Sequence, residues 1–284
     1  MLPSPAAPSA SWSDLEPLDW ECGARDLIAA ADVAHRRAQE RAAALAESQL
    51  WEPAVDHGPL AGFSNAEVVA QCLILHPSWH LGQLALIPRW RRLGKAPPPT
   101  PAAPSHREVL SPCGDWSFHM PPVATRRELL LEVLRQAQTG CPWHGFERTL
   151  VDVTDEEATW RRAGADSDDA LSIWFYCLHV ATCDVIYAET AFGERRNDWH
   201  WAGKVVGADD GPPSAEACLT MSRRGHEFLL ARLAEASDEQ LEAVHEMHHG
   251  HDMAGWQVIA AMVQHRPWHG GQIALMRDAY AGVG

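Results

Sequence analysis

The string "HRPWHGGQIAL" at residues 265–275 carries two histidines four positions apart. On an α-helix that spacing turns the second side chain by only ~40° and advances it by ~6 Å, so both imidazoles leave one face. Two such rings can grip one divalent ion through nitrogens at ~2.0–2.1 Å. A third ligand must then come from a facing helix. His179 is the candidate, because it shares a helical stripe with Phe175, Thr182 and Ile186 inside a long apolar segment. Three histidines with a vacant position form the catalytic type of metal site, in which a bound water or thiol is activated. Gln272 lies one turn beyond His269 and is placed to orient that ring, while Trp268 is a candidate wall for a cofactor or substrate pocket. The acid nearest to a base role is Asp184, five residues after His179.

The same string stands earlier in the chain, as "HPSWHLGQLALI" at residues 76–87. Sliding the sequence to put His76 on His265 matches Trp79, His80, Gly82, Gln83, Ala85 and Leu86 as well. Each copy follows an Ala/Leu/Arg-rich helix and a loop with His and Gly, so the repeating unit reads as a helix pair. The first copy lacks an evident third ligand, with His35 and His57 the nearest candidates, and a packing role is the simpler expectation for it. Pro267 removes the donor that would bond the carbonyl of Val263, which predicts a kink between the paired histidines. The cluster "HEMHHGHD" at 245–252 falls between helices and reads as adventitious metal binding. A di-iron carboxylate bundle is disfavoured, since Glu-x-x-His occurs only at Glu242/His245 and Glu246/His249, in one segment.

The elements that must hold these residues are helical nearly throughout. Periodicity and caps predict helices over 26–50 and 64–94, then 124–143, 171–193, 214–237 and 253–280. This divides the chain into an N-terminal helical hairpin (1–94), a proline-rich linker (95–122) and an all-α four-helix bundle (123–284). A helix pair alone cannot bury its apolar faces. The hairpin must therefore dock on the bundle or on a second chain, which allows a homodimer.

With 38 acidic against 23 basic residues the formal charge is −15, so no basic stretch is available for nucleic acid or an anionic membrane. The apparent start lacks a secretory leader and no stretch reaches the ~20 apolar residues of a membrane span, which makes the cytoplasm the expected location. Seven scattered cysteines without C-x-x-C read as reduced thiols, with Cys177 and Cys183 as small core residues. The 16 histidines and 13 tryptophans are the unusual counts, and both favour a metal site with a walled pocket.

The histidine in "IWFYCLHVATCDVIYAE", the polar "TDEEATWRRAG" before it and "QHRPWHGGQIALMRD" after it resemble the DinB-like (YfiT-type) superfamily of metal-binding four-helix bundles. The resemblance covers roughly 120–284, with a weaker half-copy over 26–94. It places the family's metal triad on His179, His265 and His269, and it implies a divalent ion, zinc or nickel. Members with assigned activities are metal-dependent thiol-S-transferases or isomerases using a low-molecular-weight thiol, and others are hydrolase-like. The resemblance thus implies an enzyme that adds such a thiol to an electrophilic small molecule. A hydrolase using bound water and a non-catalytic binding or assembly module are the alternatives. Proline between the paired histidines, Trp268 where a further histidine is common, and the preceding half-domain depart from the family pattern.

Overall fold

The computed structural model describes residues 33, 35–40, 42–45, 49, 52, 64–92, 125–140, 145–161, 172–247 and 250–281. The proline-rich linker, His57, His248, His249 and the cysteines at 22, 113 and 141 lie outside them, as does most of the predicted helix over 26–50. The chain forms two compact units, residues 1–73 with 117–122 and residues 74–116 with 123–284. In the first, residues 35–40 are helical, and the side chain of Asn65 donates to the carbonyl of Gln49 at 2.9 Å, near the start of α1 (Asn65–Val69). A π-helical turn, Ala70–Leu75, follows. The second half of the predicted hairpin, α2 (His76–Arg92), belongs to the second unit.

In that unit α3 (Arg126–Arg135), α5 (Ile173–Phe192), α7 (Ala215–Glu235) and α9 (Gly255–Ala281) form the four-helix bundle. Around the ring, α3 neighbours α7, α7 neighbours α5, α5 neighbours α9, and α9 returns to α3. Short polar side chains start the helices: Thr125, Ser172 and Ser214 each accept a backbone N–H three residues on, and Thr125 completes a capping box with Glu128. α5 is apolar on nearly every face and is buried almost along its length, as expected for the central member. Its Tyr176, Val180 and Ile186 meet Phe146, Met221 and Ile273 in the core. Among the described residues no helix is long and apolar enough to cross a membrane.

Two elements were not anticipated. α6 (Trp199–Val206) lies between α5 and α7, capped by the Asp198 carboxylate on the N–H of Trp201 at 2.9 Å and closed by Gly207 at φ +83°. The histidine-rich stretch becomes a small antiparallel hairpin, β1 (Val244–Glu246) with β2 (Asp252–Ala254), in which His245 faces Met253. Two short helices complete the unit, α4 (Asp155–Thr159) and α8 (Asp238–Glu242). The expected disruption at Pro267 does not end the helix: α9 runs from Gly255 to Ala281 with the proline inside it.

α2 docks on α9, and the contact pairs the two matching strings reciprocally. A Cβ placed on Gly82 would stand 1.8 Å from the carbonyl oxygen of Trp268, and one on Gly271 would stand 2.0 Å from that of Trp79. The glycines therefore let each helix approach the other's backbone at the tryptophan. Leu86 of α2 joins the bundle core at 3% exposure, a burial worth roughly 1.5–3 kcal/mol. Because backbone cannot swing aside, Gly271→Ala must push α2 and α9 apart. A loss of ~1–3 kcal/mol in urea unfolding is expected. Gly203→Ala, inside α6 and with its added Cβ meeting only the Cβ of Ala208 at 3.8 Å, should be neutral or stabilising by up to ~1 kcal/mol in the same measurement.

Candidate metal centre

α9 presents His265 and His269 one turn apart, and α5 presents His179 opposite them. The Nε2 of His265 lies 3.2 Å from the Nε2 of His179 and 2.9 Å from the Nε2 of His269. The rings stand edge to face, with centroids 4.4 Å apart for His265 and His269, 4.9 Å for His179 and His269, and 5.1 Å for His179 and His265. Two imidazoles bound to one ion at ~2.0–2.1 Å hold their nitrogens roughly 2.9–3.4 Å apart, for angles between square and tetrahedral. Both separations fall in that interval, so His265 fits a divalent cation shared with His179 and one shared with His269.

The protonation pattern agrees. The Nδ1 of His269 lies 2.7 Å from Oε1 of Gln272, so the ring donates there and leaves Nε2 bare. His269 and Gln272 are both buried. Burial lowers the pKa of every ring of the three, well below the usual histidine value at His265 and to about 3 at His269. The neighbouring rings add to the depression at His265 and His269. At neutral pH these are uncharged imidazoles, the form that binds metals. The Nδ1 of His265 is buried without a hydrogen-bond partner among the described residues.

A fourth donor stands beside them. The Sγ of Cys183 is 3.8 Å from both ring nitrogens of His179, and His179, Cys183 and His265 bring one ligand atom each within 4.8 Å of one another. Burial, followed by the adjacent Asp184, pushes the Cys183 thiol up, so it keeps its proton unless a cation displaces it. The sequence reading assigns Cys183 to the core. The signal that marks it otherwise is the spacing His179–Cys183, four residues on one helix, the same rule that pairs His265 with His269.

Behind the rings lies an ion pair with no exposure. Arg266, between the two histidines of α9, donates through Nη2 to Oδ2 of Asp184 and through Nη1 to Oε1 of Gln138. The Nε2 of Gln138 in turn donates to Oγ of Ser222 and to Oε1 of Glu147, both at 2.9 Å. Burial pushes the Asp184 carboxyl up to about 6 against the opposing pull of Arg266. His226, also buried, is lowered to about 2 by burial and by the charges of Arg266 and Arg135. Asp184 is thus held by Arg266, in a link between α5 and α9.

A cavity of about 400 Å³ opens at His179. Phe175, Leu178 and Trp199 give it apolar walls, and His200 and Asp209 line it from α6 and the turn that follows. The tryptophan in this lining is Trp199, not the expected Trp268. Trp268 is half-buried, and its backbone is turned to Gly82 at the crossing with α2.

Residues 142–273 match the family model described as the DinB superfamily, a span that contains all three histidines, and this part of the chain is a DinB-like bundle. No curated protein and no solved structure gives a match.

Proposed function

We propose that the bundle is a divalent-metal-dependent enzyme, holding zinc or nickel through His179, His265 and His269, that adds a low-molecular-weight thiol to an electrophilic small molecule. The convergence of Nε2 atoms at 2.9 and 3.2 Å carries this reading. An ion held there supplies Lewis acidity that favours the deprotonated form of a thiol or water in its open position. The protein does the rest. Gln272 fixes the tautomer of His269 and aims its Nε2 inward. Asp184 serves as a positioning residue, anchoring Arg266 and with it the register of α9 on α5. The cavity at His179 admits a small substrate between Phe175, Leu178 and Trp199, with His200 near enough to the same space to exchange a proton with it.

Cys183 favours a second reading. Were its sulfur to take the fourth position, the site would be closed and structural, and the chain a metal-stabilised binding or assembly module. One experiment separates the two. The protein and its Cys183→Ser variant are loaded with cobalt for spectroscopy, and with zinc or nickel for a screen of several biological thiols against a model electrophile. The enzyme reading expects no thiolate-to-cobalt band from Cys183 and metal-dependent thiol consumption in both proteins. A charge-transfer band that vanishes in Cys183→Ser, together with no turnover of any thiol, would overturn it in favour of the closed site.

A further inference from the structure

The earlier copy of the string, on α2, repeats more than residue types. The rings of His76 and His80 stand 4.5 Å apart at 80°, against 4.4 Å and 87° for His265 and His269. The Nδ1 of His80 lies 2.9 Å from Oε1 of Gln83, against 2.7 Å for His269 and Gln272. Oε1 of Gln83 therefore accepts a hydrogen bond from Nδ1–H and leaves the Nε2 of His80 bare, as Gln272 does for His269. The difference is exposure: His76 and His80 face solvent, whereas His269 is buried.

From this correspondence we infer that His76 and His80 form a second divalent-metal site, a surface chelate of two imidazoles oriented by Gln83 and completed by water. A pair of neutral nitrogens suits borderline ions, zinc, nickel or copper(II), over calcium or magnesium, which take oxygen ligands. With two protein donors and open access, this ion exchanges faster and binds more weakly than one in the bundle. The site does not depend on the reading of the bundle as an enzyme.

The test is a zinc titration of the full chain by calorimetry, with metal content measured before and after a brief wash with a mild chelator. The titration uses a His248→Ala/His249→Ala/His251→Ala background as the wild type, which removes the adventitious cluster, and this chain is expected to take two equivalents, one of them removed by the wash. The double variant His76→Ala/His80→Ala is expected to take one, retained through the wash, and Gln83→Ala to weaken the labile site by ~10-fold or more. Both histidines are exposed, so these changes leave the core untouched, which far-UV circular dichroism checks. In His265→Ala/His269→Ala the labile equivalent should persist while the retained one is lost. Retention of two equivalents by His76→Ala/His80→Ala overturns the second site, and so does a wild-type stoichiometry of one. Two equivalents in wild type, with the labile one lost in His76→Ala/His80→Ala and the retained one kept in His265→Ala/His269→Ala, would support the second site while refuting the bundle site.

Discussion

His265→Ala is expected to strip the bundle of its tightly held metal, with a loss of affinity beyond the 10- to 100-fold typical of removing a residue that merely orients a ligand. His265 is the ring through which the other two are connected: its Nε2 is the atom lying 3.2 Å from His179 and 2.9 Å from His269. Without it, His179 and His269 remain on different helices, with Cys183 beside His179. Metal analysis after gel filtration reads the effect directly. Thermal unfolding gives a second readout, because a ligand that binds only the folded state raises stability by RT ln(1 + [L]/Kd), and that increment should disappear. A variant that keeps its retained equivalent of metal and its metal-dependent melting shift would show that the rings meet for another reason.

Asp184→Ala is expected to cost about 3–5 kcal/mol of folding stability. It removes one member of an ion pair in which both side chains have 0% exposure, leaving the Arg266 guanidinium buried without its counterion. The Nε of Arg266 already has no hydrogen-bond partner among the described residues, so the cation would keep only its bond to the neutral Gln138 and the field of Glu147. Asp184→Leu combined with Arg266→Met should recover much of the loss, because a well-packed apolar pair is often as stable as a buried ionic one. Urea unfolding of the single and double variants forms the cycle. A loss below about 1 kcal/mol for Asp184→Ala would mean that water reaches the pair. Since Arg266 sits between His265 and His269, the double variant also asks whether the ring spacing needs the ion pair. Stability restored with metal affinity still reduced would identify the pair as a positioning device.

Much of the candidate centre was legible because its logic is local. The i, i+4 rule finds His265 with His269 and, one turn on, Gln272; the apolar stripe finds His179; and short polar caps with apolar periodicity find the four long helices close to their observed ends. What escaped is what local rules do not encode. Asp184 and Arg266 lie 82 residues apart in sequence, and nothing in either segment announces the other. Asp184 therefore read as a candidate base when its carboxylate is in fact engaged by a guanidinium. Cys183 was open to the i, i+4 rule but was hidden by its chemistry, since a cysteine in an apolar run is ordinarily filler. α6 has only eight residues, with Asp198 as its one start signal, and the strands of the hairpin have three each, too few for a two-residue alternation to emerge.

The crossing of α2 and α9 divides the shared string into two kinds of obligation. Its tryptophan and glycine answer to geometry: each copy's glycine makes room for the backbone at the other copy's tryptophan, so neither position is free to drift while its counterpart stays. Its histidines and glutamine share a different relation, the hydrogen bond between the second imidazole and the amide three residues on. Replacing a glycine of the string therefore asks whether the two helices still nest, whereas replacing a glutamine asks whether an imidazole still keeps its orientation.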